Sequence, residues 1–165
     1  MNFEQGTRIF DFRSFLFHLL QSMLTMFYKN YKLKSYWFMK KFNLENRLVE
    51  FSVFIIEIIN EMPNSKAGNH LSGQLVRSGT SASLNYGEAQ SGESRRDFIH
   101  KLKVVLKELR ESFVALKIIH LAKLYKSEEK IIRAKKENDE LISIFVKSVE
   151  TAQKNEKMRK NFKKK

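Results

Sequence analysis

Six polar side chains in the middle of the chain have types and spacings that could do chemistry. They are Arg77, Ser81, Asn85, Glu88, Glu108 and Glu111. The first four recur every three or four residues, so a helix would place them along one side. The last two are carboxylates one helical turn apart, which acid–base catalysis or a di-metal site would need. These six residues therefore allow three interpretations: a catalytic site, a polar binding site or a structural network.

Catalysis lacks its other requirements in this sequence. A di-metal bundle needs Glu-x-x-His motifs on two helices, whereas the chain offers one Asp97-x-x-His100, in which Asp97 is better explained as part of a helix cap. No nucleophile elbow or phosphate-binding loop is present, and the absence of cysteine excludes thiolate chemistry and disulfides. The other histidines, His18, His70 and His120, have no ligand spacing, and His120 is expected in the core or an interface. We therefore expect no enzyme, no metal and no cofactor.

A structural network is the interpretation that we prefer for the six polar residues. In this network Arg77 pairs with Glu111 or Glu108, while Asn85 and Ser81 satisfy neighbouring groups. A buried pair of this kind fixes the register of two helices more than it stabilises them. The functional alternative is a polar site that faces nucleic acid or a partner.

The element that must carry four of these residues is the stretch 74–90, which reads QLVRSGTSASLNYGEAQ. Its many Ser, Thr and Gly residues are typical of a loop. A seven-residue apolar rhythm through Leu75, Ala82 and Ala89 indicates instead a helix, over 66–90. Gly and Ser make such a helix costly by itself, so it needs packed neighbours, and its small side chains allow a close approach.

Three further amphipathic helices surround this one in the sequence. Apolar residues three and four apart predict helices over 44–62, over about 27 residues from Ser94, and from Glu128 to about Thr151. The expected N-caps are Asn43, Ser65, Ser94 and Ser127. Pro63 ends the first helix, and no alternating β-branched run indicates a strand. The predicted fold is all-α, an up-down-up-down antiparallel four-helix bundle.

The first predicted helix carries a second apolar stripe. Its members are Val49, Val53, Ile56 and Ile59, which lie beside the main apolar face. More than one face of this helix is therefore expected to be buried. Either the helix is central or it also meets another subunit.

The charge of the chain is concentrated at its two ends. The formal net charge is +13 over 165 residues, yet residues 43–153 hold 17 basic and 15 acidic residues and so contribute only +2. Seven basic residues against two acidic ones lie in 1–42, and seven against one in 154–165. The candidate nucleic-acid contacts are Arg95, Arg96, Lys101, Lys103, Lys107, Lys157, Arg159, Lys160, Lys163, Lys164 and Lys165. The alternative is an ordinary solvated face, and for 154–165 a solubilising tail.

The composition divides the chain into three parts. A Phe-rich extension over 1–42 precedes the bundle over 43–153, and a basic C-terminal tail over 154–165 follows it. The extension holds eight of the fourteen Phe residues and the only Trp. Four interpretations of it stay open: a membrane-associated segment, a signal peptide, an amphipathic helix, or an over-extended reading frame whose true start is Met39.

Motifs on two of the predicted helices resemble a known family. They are QLVRSGTS at 74–81, NYGEA at 85–89, SRRDF at 94–98 and LKELRES at 106–112. Over roughly 43–152 the chain resembles the four-helix-bundle proteins encoded in intervening sequences of bacterial 23S ribosomal RNA genes, a family also called S23-like. That family is similar in fold to the accessory variability determinant of diversity-generating retroelements. The resemblance implies a ring-like homo-pentamer, and the retroelement relatives use a basic surface to bind nucleic acid and a reverse transcriptase.

The expected function is that of a non-enzymatic, homo-oligomeric, cytoplasmic bundle that binds RNA or a ribonucleoprotein partner through basic rims and tails. The alternative is a structural or adaptor protein whose ring recruits another protein without nucleic acid. No small-molecule substrate and no membrane partner are expected.

Overall fold

The structure is a computed structural model that describes residues 21–23, 25–26 and 43–162. The chain divides into two units, 1–42 and 43–165, and the interpretations of 1–42 fall almost wholly outside the described residues. The helices of the second unit are α1 (Leu44–Asn60), α2 (Lys66–Gln90), α3 (Arg95–Leu121) and α4 (Glu128–Phe162). Because the described residues contain helices and no strand, the predicted all-α class is confirmed. Among the described helices, none combines the length and the apolar character that a membrane crossing needs.

The helix starts follow from capping side chains. Asn43, Ser65, Ser94 and Ser127 each accept a hydrogen bond from the backbone N–H three residues further on, at N···O distances of 3.0 to 3.3 Å. These N–H groups have no partner inside the helix, so a side-chain oxygen that accepts from them stabilises the first turn. All four predicted N-caps are confirmed.

The end of α4 corrects the predicted tail. The sequence predicts fraying after Thr151, whereas α4 continues to Phe162. Glu156 explains part of this extension: its half-buried carboxylate lies 3.6 Å from Arg159 Nε and 3.8 Å from Lys160 Nζ, one turn later on the same helix. The described part of the basic tail is therefore an ordered helical surface.

The four helices share one core. Each packs against the next along the chain, and α1 also packs against α4. The largest fully buried side chains come mostly from α1, α3 and α4, with one from α2: Phe51, Phe145, Leu48, Ile55, Ile58, Leu75, Leu102, Leu109, Leu116, Ile119, Ile131 and Leu141. The helix α2 otherwise adds small residues to the core, so its neighbours supply most of the apolar area that drives folding.

The small residues of α2 let α1 approach closely. A Cβ atom added at Gly79 would lie 3.0 Å from both Ile55 Cγ1 and Cγ2, and Ile55 is fully buried. Beside this contact the Ser52 hydroxyl on α1 lies 3.0 Å from Gly79 O and 3.0 Å from Ser83 Oγ. The prediction of a close-packed helix at this stretch is therefore confirmed, and a Cβ atom at position 79 would crowd Ile55.

Two glycines on α2 provide a matched test of this contact. Gly73→Ala is expected to raise the free energy of unfolding by about 0.5–1 kcal/mol, because alanine favours a helix and its Cβ would meet nothing within 4 Å. Gly79→Ala gains the same helix propensity but forces its Cβ against Ile55, an overpacking cost of about 1–3 kcal/mol. Urea unfolding of both variants measures the difference, and equal stabilisation by the two substitutions would contradict the close approach.

Two hydrogen bonds to Glu61, the residue after α1, connect α1 with the start of α4 and the turn before it. Tyr125 Oη donates to Glu61 Oε2 at 2.6 Å, and Lys130 Nζ donates to Glu61 Oε1 at 2.6 Å. The hydrogen bond from Lys130, followed by the one from Tyr125, holds the pKa of the Glu61 carboxyl below its usual value. The folded state therefore favours the ionised carboxylate.

This lowered pKa predicts a pH dependence of stability. Because the Glu61 pKa is lower in the folded than in the unfolded chain, its contribution is present above the usual Glu pKa of about 4.3 and is lost as the pH falls through the lowered value. Thermal unfolding between neutral and acidic pH should show a smaller loss of stability for Glu61→Gln than for the native chain. Glu150→Gln, at an exposed position of α4, is the control and should keep the native pH profile. If the pH profile of Glu61→Gln matches the native one, the pairing of Glu61 with Tyr125 and Lys130 does not stabilise the fold.

Candidate functional site

The four polar motif residues of α2 lie on its outer side. Arg77 and Glu88 are exposed, and Ser81 and Asn85 are half-buried. Asn85 Nδ2 donates to Ser81 O at 2.9 Å, within the same helix. The stripe predicted from the spacing exists and borders the helix contacts, where Ser81 and Asn85 are half-buried.

Arg77 has a different partner from the predicted one. Its Nη2 donates to Gln74 Oε1 at 2.5 Å, and it makes no ion pair with a carboxylate of the described residues. Glu111 and Glu108 lie 3.1 and 3.6 Å from Lys107 Nζ instead, on the same helix. The predicted pairing of Arg77 with either glutamate is thus not formed, because the guanidinium bonds Gln74 on its own helix and both glutamates bond Lys107.

One ion pair of the motif does cross between helices. Glu88 near the end of α2 bonds Lys101 near the start of α3. This hydrogen bond, with the nearby charges of Glu88 and Asp97, raises the pKa of Lys101. Lys101 therefore ties α2 to α3, and its charge is already partnered.

Buried serines form the polar contacts that sequence reasoning missed. Ser112 Oγ on α3 donates to Ser78 Oγ on α2 at 2.9 Å, and both side chains are almost fully buried. Ser52 makes the equivalent contact between α1 and Ser83. Ser78 lies three residues after Leu75 and four before Ala82. This spacing puts it on the apolar face of the helix, so the sequence could have indicated that Ser78 is buried.

A buried amide in α4 was missed as well. Asn138 is 0% exposed, and neither its Nδ2 nor its Oδ1 has a hydrogen-bond partner in the described part of the chain. It interrupts the apolar rhythm of Ile131, Ala134 and Leu141. A buried unpaired amide costs about 1–3 kcal/mol, so at this position the core gives up stability.

An ion-pair cluster between distant parts of the chain lies at the start of α1. Arg47 Nε and Nη2 donate to the two carboxylate oxygens of Glu137 on α4 at 2.6 and 3.0 Å, and Nη2 also donates to Glu140 at 2.5 Å. The hydrogen bond that Arg47 donates to Glu137 outweighs the effect of burial and raises the Arg47 pKa. The partners are about ninety residues apart in sequence, so no local spacing could reveal them.

His120 is half-buried and bonded on both ring nitrogens, which places it at the surface of the core. Lys135 Nζ lies 3.0 Å from Nδ1, and Nε2 lies 3.1 Å from Glu128 Oε1. The arrangement fits a ring that accepts from Lys135 and donates to Glu128. Across residues 21–23, 25–26 and 43–162 there is no cluster of three or more His, Asp or Glu side chains suited to a metal ion.

Three of the predicted basic contacts meet in one cleft. The cleft has a volume of about 240 Å³ and lies between the start of α3 and the end of α4. Its lining residues are Arg96, Ile99, His100, Lys103, Glu156 and Lys160. Arg96, Lys103 and Lys160 supply three positive charges against the single carboxylate of Glu156, which Lys160 and Arg159 already approach. We call this site the basic cleft.

The other candidate contacts lie around the same end or outside it. Arg95 lines a separate depression of about 690 Å³ with Lys147, between the α2–α3 turn and α4. Lys157 and Arg159 are exposed on the last turns of α4. Lys163, Lys164 and Lys165 lie outside the described residues. Further cations therefore lie on the same two helix segments as the basic cleft, the start of α3 and the end of α4.

Lys107 belongs to a third depression, between α2 and α3, with a volume of about 790 Å³. Its charged lining residues are four basic ones, Arg77, Lys103, Lys107 and Arg110, against the single carboxylate of Glu111, and we call them its basic rim. Its floor is apolar and is formed by Leu71, Leu106, Val114, Ala115 and Ile118. We call this surface the α2–α3 groove; its apolar floor distinguishes it chemically from the basic cleft.

Comparisons with known proteins agree with the motifs. The family model of the 23S rRNA-intervening sequence proteins matches residues 40–164. A solved structure from Bacteroides thetaiotaomicron, a protein with unknown function from the S23 ribosomal protein family, is 28% identical to this chain with a TM-score of 0.59. That match covers 64% of this chain and 97% of the other. No curated protein matches the chain. Because the family model spans all four helices α1 to α4, the chain belongs to the family of 23S rRNA-intervening sequence proteins.

Proposed function

We propose that the chain is a non-enzymatic, cytoplasmic, homo-oligomeric four-helix bundle that binds RNA through the basic cleft. The observation that carries the proposal is the meeting of Arg96, Lys103 and Lys160, from the start of α3 and the end of α4, in one cleft. Side chains of this type bind phosphate groups without reading sequence. The proposal assigns the cleft no catalytic role.

An up-down-up-down antiparallel topology is the first part of the proposal. Contacts between neighbouring helices run in opposite directions: Glu88 of α2 meets Lys101 of α3, and Ser78, earlier in α2, meets Ser112, later in α3. Helices α1 and α4 follow the same rule, since Arg47 bonds Glu137 while the later Glu61 bonds the earlier Lys130. Short connections between successive helices support the same arrangement.

RNA with unpaired bases is the nucleic acid that we propose for the cleft, because exposed cations and an exposed aromatic ring lie together at the end of α4. The ordered end of α4 adds exposed Lys157 and Arg159 beside the cleft, and Phe162 is 81% exposed on the same turns. Cations that follow a phosphate backbone and an aromatic ring that stacks on bases are the usual parts of a single-strand or loop contact. The precedent is the resemblance to the accessory variability determinant, whose basic surface binds nucleic acid.

Self-association is the remaining part. The family resemblance implies five copies in a ring, and a ring repeats the basic cleft once per copy. Several weak phosphate sites on one particle bind a long RNA much more tightly than one site does. The modest charge of +2 over 43–153 is therefore compatible with useful affinity.

The cleft can be tested with a neutralised variant. Arg96→Gln combined with Lys160→Gln is expected to weaken binding to a structured RNA and to reduce the slope of log Kd against log salt by up to about 1.5–2, because two phosphate contacts are lost. The control is Lys123→Gln with Lys136→Gln, which removes the same charge at exposed positions outside the cleft. Fluorescence anisotropy between about 50 and 200 mM salt measures both.

Two results would contradict the RNA proposal. Equal weakening in the control would mean that total charge, and not the cleft, attracts RNA. Absence of binding by the native chain at low salt would remove RNA altogether and would favour the alternative function, an adaptor whose ring recruits another protein.

A further inference from the structure

The outward side of α1 carries an apolar stripe bordered by acidic residues. Val49, Val53 and Ile56 are 48%, 50% and 40% exposed, although they recur at the spacing of a packed helix face. Glu45 lies one turn before Val49 and Glu57 one turn after Val53, and both are exposed. The whole of α1 has three acidic residues and one basic residue, a net charge of −2. We call this surface the α1 face.

The α2–α3 groove has the opposite character on the same molecule. On its floor Val114 and Ile118 are 55% and 46% exposed, and they are one helical turn apart, as Val49 and Val53 are on α1. On its rim Lys103 and Arg110 make no ion pair among the described residues, whereas Glu108 and Glu111 partly neutralise Lys107. The helix α3 holds seven basic and three acidic residues, a net charge of +4.

We propose that the α1 face of one copy docks in the α2–α3 groove of a second copy of this chain. Docking would place Val49 and Val53 on the apolar floor and would bring the α1 acids to the basic rim. It would cover two exposed apolar surfaces at once and pair unlike charges. The inference rests on the self-association in the proposed function, and it names the two surfaces that associate.

The charges favour this head-to-tail contact over a symmetric one. Two α1 faces packed together would bring Glu45 and Glu57 against the same acids of the second copy. Two grooves packed together would oppose Lys103 and Arg110 to themselves. Like charges brought together at an interface cost free energy, so each surface selects the other one. An interface between two different surfaces leaves one of each free at the ends, and it is completed when a ring closes.

Two variants that each damage one surface test the proposal. In the first, Val49→Gln and Val53→Gln make the α1 face polar, and in the second, Val114→Gln and Ile118→Gln do the same to the groove floor. None of the four residues is buried, so helicity measured by circular dichroism should stay native. Native mass spectrometry and sedimentation of each variant alone should show loss of the assembly and a monomer. The matched control, Ile132→Gln with Met158→Gln, alters two exposed apolar residues of α4 and should keep the native mass.

Mixing the two variants separates the head-to-tail contact from any symmetric one. The first variant retains a native groove and the second retains a native α1 face, so an equimolar mixture should give a heterodimer with one copy of each. If either variant alone still assembles as the native chain does, or if the mixture stays monomeric, the head-to-tail contact is wrong. If the native chain itself is monomeric, the self-association in the proposed function fails too, and the two faces belong to a different partner. RNA binding is measured separately: both variants keep the basic cleft, so a monomer that still binds RNA, with the lower affinity of a single cleft, separates failure of this contact from failure of RNA binding.

Discussion

The close approach of α1 and α2 at Gly79 is the constraint on which the rest of the structure depends. Ile55 is fully buried against a residue without a side chain, and Ser52 bonds Gly79 O and Ser83 across the same contact. A helix so rich in Gly and Ser does not hold itself together, so α2 exists because α1 and α3 pack on it. That packing fixes the rotation of α2, which in turn decides which polar residues are buried and which border the α2–α3 groove.

Acidic and basic residues lie on different helices of this unit, although residues 43–153 are nearly neutral in total. Residues 43–153 carry only +2, yet α1 carries −2 and α3 carries +4 on different sides. At the end of the helices the ordered α4 brings Lys160 to Arg96 and Lys103 and produces the basic cleft. The total charge conceals such a separation, because salt screens exposed charges from each other beyond about 10 Å, so each surface acts through its own charges. Local surfaces therefore determine which partners this protein attracts.

Local patterns predicted much of the fold. Capping residues and apolar spacing act within one or two turns, so the starts of all four helices and the class followed from the sequence. The partner of Arg77 did not follow, because the direction of its side chain depends on how α2 is rotated against α3. The same holds for Ser78, which is buried while Ser81, three residues later, is at the border. Contacts such as Arg47 with Glu137 join residues too far apart in sequence for any spacing rule.

The head-to-tail contact between copies is the central claim, and chemical cross-linking tests it most directly. The chain has no cysteine, so single cysteines introduced as Val53→Cys and Val114→Cys are the only sites at which a short bis-maleimide reacts. A covalent dimer is expected when the two variants are mixed and assembled, and little covalent dimer is expected when either variant is treated alone. If Val53→Cys alone cross-links efficiently, and the mixture gives no covalent dimer between the two variants, the head-to-tail contact is contradicted.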